Sequence, residues 1–129
     1  MNDPDVLVHL KRGADNESLA AELKERIPTT DWRIVVNFYA ALHFVQAYLI
    51  SKNIRFHAKR HHERKDAIRK SPELRHPFPT HYAILQDVSE QVRYDPGFVA
   101  SGHVADSHNW LATTKATVFP KLRSKGYAV

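Results

Sequence analysis

The chain has 129 residues, 43% of them hydrophobic and 26% charged, enough for one folded domain and too few for two ordinary ones. It has no cysteine, which excludes disulfides, thiolate zinc sites, iron–sulfur clusters and cysteine nucleophiles, and its four glycines are too scattered to build a phosphate-cradling loop. The net charge of +5 is concentrated: residues 55–76 hold eight Lys and Arg against three acids, and the rest of the chain balances.

The acidic start lacks the basic-then-apolar order of a secretory signal, so a cytoplasmic protein is expected. Asp3 as N-cap and Pro4 at the first helical position open a short helix over residues 4–12, which Gly13 stops. A second runs over 17–26 with Leu19, Ala20, Leu23 and Ile27 as its apolar stripe and Pro28 as terminator. Residues 1–28 thus read as outer N-terminal helices, 30–120 as the bundle core and 121–129 as a frayed tail, all within a single domain spanning 1–129.

The strongest element is a helix over 31–52, capped by Thr30 with Asp31 at the positive end of the dipole. Between residues 34 and 50 only Asn37, His43 and Gln46 are strongly polar. Seventeen residues with three such interruptions fall short of the roughly 20 that cross a bilayer, so this is the core helix of a bundle and no membrane is expected. A basic helix over 58–69 follows, with Ala67 and Ile68 as its few apolar residues. Ser71-Pro72 ends it, and Pro77 and Pro79 keep the connector extended. Thr80 caps a helix over 81–93, in which Tyr82, Leu85, Val88 and Val92 form one stripe. After the turn at Asp95-Pro96-Gly97, a last helix spans 102–119, with Val104, Leu111 and Val118 at heptad spacing and Pro120 at its end. The fold class is all-α, an antiparallel bundle of four to five helices.

His57 and His61 stand at ligand spacing, but no third ligand accompanies them, so no metal or other cofactor is expected. No serine sits in a nucleophile elbow. Arg55, Lys59, Arg60, Lys65, Arg69 and Lys70 form a run that either binds nucleic-acid phosphates or is a solvated helix face. His43, with His62, Arg64, Tyr82, Arg93 and Tyr94, would converge on one polar seam, either a hydrogen-bond network that fixes helix register or a ligand site.

Phe38-Tyr39-Ala40-Ala41-Leu42-His43, the following Ala47-Tyr48-Leu49, His62-Glu63-Arg64, Tyr82 with Leu85, Ser89 and Arg93-Tyr94, and then Val104-Ala105 come in an order and spacing that resemble the HEPN (higher eukaryotes and prokaryotes nucleotide-binding) superfamily over residues 31–119. The resemblance implies a helical bundle that dimerises and binds RNA or a nucleotide, alongside a nucleotidyltransferase or antitoxin partner. It also implies metal-independent endoribonuclease activity in toxin–antitoxin or defence systems, through an Arg-x(4–6)-His motif in which histidine moves protons and arginine stabilises the charged transition state. That spacing occurs at Arg55–His61, Arg55–His62, Arg69–His76 and Arg75–His81, and the candidate catalytic residues are His62, Arg64, His61 and Arg55. Arg93 departs from the pattern, since Asp95-Pro96-Gly97 breaks the helix and no histidine follows before His103. The alternative is a non-catalytic interaction or dimerisation module contacting its partner through Trp32, Trp110 and Phe98, if these are not core.

Overall fold

The computed structural model describes residues 2–23, 31–54, 61–75 and 77–129, and the regular structure of these residues is entirely helical. In chain order the helices are α1 (Pro4–Glu22), α2 (Trp32–Ser51), α3 (His61–Arg69), α4 (Phe78–Tyr94) and α5 (Val104–Ser124), with a 3₁₀ turn at Ser101–His103 leading into the last.

α2 forms because residues 32–51 contain no Gly or Pro and because Asp31 caps them, its side chain accepting from the Arg33 backbone N–H at 3.0 Å. Thr30, the expected cap, lies outside the described residues. The helix is buried on nearly every side, with Phe38, Ala41, Val45, Ala47 and Leu49 at the centre of the core. It does reach the length and apolarity of a membrane-crossing helix, contrary to the sequence expectation, but the surface that would meet lipid is packed against other helices. α1 and α4 run antiparallel to it. Asp3 and Asp5 share a cleft with Ile50 and Ser51, and Ile34 and Val35 cluster with Val88 and Val92. α5 runs parallel to α2, for Asn37 meets Ser107 at one end and Lys125 reaches the Ser51 carbonyl at the other. The long helices α1, α2, α4 and α5 therefore alternate in direction along the chain, as in an antiparallel bundle, which leaves α2 and α5 parallel to one another.

Three boundaries differ from expectation. Gly13 does not stop α1, which runs unbroken through the expected loop. Val6, Leu10, Gly13 and Ala20 are its buried stripe, and a Cβ on Gly13 would come within 2.5 Å of the Phe44 ring. The N-terminal segment is thus part of the core, not an outer layer. α4 begins at Phe78, before Thr80, because proline at the first helical positions gives up only an amide that needs no partner there. α5 runs through Pro120 to Ser124, and its end is docked: Leu122 and Tyr127 are buried, and the Tyr127 hydroxyl accepts from the Asp3 N–H at 3.1 Å. The segment read as a frayed tail instead joins the two ends of the chain.

α3 and the connector after it lie near the C-terminal end of α2. Ile68 and Leu74 are buried, Tyr48 donates to Glu73 at 2.7 Å, and Lys52 pairs with the same carboxylate.

Candidate functional site

α3 presents two different faces. Outward, His62, Lys65, Asp66 and Arg69 recur at spacings of three and four, so they form one row. The row walls a cleft of about 300 Å³, with Pro79, Tyr82 and Ala83 of α4 opposite and Ile68 beneath. Lys65 lies 3.8 Å from Asp87, and Arg69 pairs with Asp66. Lys70 and Arg75 are exposed beyond the end of the helix. The cleft thus couples charged groups at its rim to an apolar interior.

Inward, Arg64 is only 3% exposed. This corrects its expected pairing with His62: two positions apart on a helix, the two side chains diverge, and His62 stays exposed on the outer face. Arg64 also cannot be a solvent-facing phosphate ligand of the basic row. Arg55, Lys59 and Arg60 lie outside the described residues, as does the side chain of His61.

The inner face of α3 looks towards two histidines. His43 of α2 approaches His9 of α1 with Nδ1 atoms 2.9 Å apart and rings stacked at 5.1 Å, 27° from parallel. One ring must carry its proton on Nδ1 and the other on Nε2, since a hydrogen bond needs one donor and one acceptor. Burial, then His9, Arg12 and Arg64, hold the His43 pKa down at about 4. Burial and Arg12 likewise lower His9, against an opposing pull from Asp5. Burial pushes the Tyr82 phenol up to about 12, and the neighbouring Arg64 guanidinium pulls the other way.

The expected polar seam therefore divides. Arg64 acts on both His43 and Tyr82. Arg93, about three turns along α4 from Tyr82, belongs to a separate cluster. Its Nη1 donates to the Tyr39 hydroxyl at 3.0 Å, its Nε donates to the Ser89 carbonyl, and its guanidinium lies over the rings of Tyr39 and Tyr94. His62 belongs to neither group.

Sequence reasoning missed His9, because α1 looked peripheral. The available signal was its position three residues after buried Val6, beside the stripe that continues through Leu10 and Gly13. Arg75 and His81 also take separate partners, the Pro72 carbonyl and Thr113, so this copy of the spacing builds no joint site. Arg55 and His76, needed by the other copies, lie outside the described residues. Among the described residues, no group of three His, Asp or Glu side chains is placed to hold a metal ion. Trp110 and Phe98 pack against the core, while Trp32 is 50% exposed.

Compared with protein-family models, curated proteins and solved structures, the chain finds no significant match in any of the three.

Proposed function

We propose that this is a HEPN-like helical domain that binds single-stranded RNA or a nucleotide in the cleft between α3 and α4. The observation that carries the reading is one row of His62, Lys65, Asp66 and Arg69, basic on balance, above an interior of Ile68, Pro79, Tyr82 and Ala83. Cations at the rim attract phosphates, and the apolar interior receives a base. The order of the aromatic, histidine and arginine motifs along the chain supports the same reading.

Binding of a labelled single-stranded RNA, followed by fluorescence anisotropy across a salt series, tests it. Lys65→Glu with Arg69→Glu weakens binding at least about tenfold and lowers the salt slope by about 1.4, roughly 0.7 for each phosphate contact to a single strand. Salt-independent binding, or no binding by the wild type, overturns the proposal. The finer reading, a metal-independent endoribonuclease of a toxin–antitoxin or defence system, is measured in the same mixture with EDTA present. There His62 is the proton-transfer group to replace, because it is exposed at the cleft and free to meet a ribose hydroxyl.

A second reading has its own observation. Trp32 (50% exposed), Tyr94 (75%) and Val99 (55%) lie at the end of the bundle where α2 begins and α4 finishes. Large aromatics exposed together favour a protein-contact surface, which is the dimerisation alternative.

A further inference from the structure

The inner face of α3 closes over a place chemically unlike the cleft. Because the pKa of both rings is lowered, the His9–His43 contact is neutral near pH 7, one Nδ1 donating and the other accepting at 2.9 Å. One more proton fits without breaking it. The donor ring takes that proton on its own Nε2, and the contact becomes a charge-assisted hydrogen bond. A second proton would set donor against donor and force the rings apart. The pair is therefore built to hold either zero or one extra proton.

Its surroundings oppose even the first. Arg12 stands one turn beyond His9 on α1, and Arg64 reaches in from α3, so cations act on the pair from two helices. Among the described residues, Asp5 is the carboxylate acting on His9, and no carboxylate acts appreciably on His43. Both imidazoles are half-buried, so water and small solutes reach them while screening is reduced. An anion in such a place is attracted by both arginines and offsets their opposition to the proton, so anion binding and proton uptake favour each other.

We propose that His9, Arg12, His43 and Arg64 form a binding site for a phosphate group, with one proton taken up by the histidine pair as the anion enters. The pair changes from neutral to singly protonated, and the proton comes from solvent or from the phosphate itself. None of these four residues lines the cleft, so the inference does not depend on RNA occupying it.

The test titrates inorganic sulfate and inorganic phosphate into the full chain, reading the imidazole NMR signals of His9 and His43. Sulfate keeps its charge across the range, so its pH dependence belongs to the protein. Both rings shift on one saturation curve, and sulfate affinity rises by up to about tenfold per pH unit as pH falls from about 7 towards 5. His43→Gln and Arg12→Gln each lose at least about tenfold in affinity. Arg12 is exposed, so its replacement keeps the fold even if the His43 variant loses it. Lys125→Gln, on another part of the surface, changes nothing.

Absence of a shared shift, unchanged affinity in Arg12→Gln, or affinity independent of pH overturns the proposal. Two dinucleotides, one with and one without a 5′-phosphate, then compete against sulfate. Displacement by the phosphorylated one alone assigns the site to a terminal phosphomonoester, and equal displacement assigns it to the internal phosphodiester. If neither displaces sulfate, the phosphate assignment fails.

Discussion

At Gly13 the missing side chain lets α1 lie directly on the Phe44 ring, which is itself held edge-on by Phe119 at 4.9 Å. Glycine inside an exposed helix costs roughly 1 kcal/mol relative to alanine, so Gly13→Ala would stabilise an isolated α1. Here the added methyl meets a ring that is packed on its other side. We expect Gly13→Ala to destabilise the protein by about 1–3 kcal/mol in urea unfolding, with part of that recovered by adding Phe44→Leu. A more stable Gly13→Ala variant would mean that the ring moves aside. The same position shows why local rules misread α1. A glycine after Leu10-Lys11-Arg12 has the signature of a helix stop, and the ring that makes it a packing position is 31 residues further on. His9 was missed for a related reason, since its partner is 34 residues away. His43, on the most strongly patterned helix, was legible as a buried polar group with a neighbour to find.

Among the elements, α2 was legible almost to the residue because its pattern is strong and its cap is local. The boundaries that sequence misplaced, the start of α4 and the end of α5, are set by tertiary contacts that outweigh a local breaker. Pro120 would end a solitary helix, but burial of Leu122 and Tyr127 holds the chain beyond it. α3 has the weakest apolar pattern, and its connector is fastened to α2 by polar contacts. Glu73 carries that fastening. Burial alone would raise its pKa, yet hydrogen bonds from Lys52 and Tyr48 outweigh burial and hold it at about 2. Because the folded value lies below the unfolded one, the stabilisation is complete above roughly pH 4.5 and disappears as pH falls towards 2. Glu73→Gln should therefore lower the melting temperature near neutral pH, with the gap to wild type closing between about pH 4.5 and 2. A gap that persists unchanged at the acid end would show that the carboxylate's charge is not what fastens the connector.

For the whole molecule, α2 is the hub, with α1, α4 and α5 around it and α3 over one end. In this arrangement the basic row lies on the outer face of α3, while Arg64 on its inner face acts on the histidine pair. The division follows from helix geometry at His62 and Arg64, which the sequence placed side by side and the fold turns apart. Composition alone made the charge concentration legible; which cations face out and which face in depended on the packing of Ile68 and Arg64. The contact between Asp3 and the Tyr127 hydroxyl brings residues from opposite ends of the chain within hydrogen-bonding distance. A short peptide could join them, and a new opening could be cut elsewhere in the ring so formed, leaving every helix in place. A domain spliced into the bundle of a larger protein at this point would enter and leave through neighbouring positions, disturbing its host little more than a surface loop does.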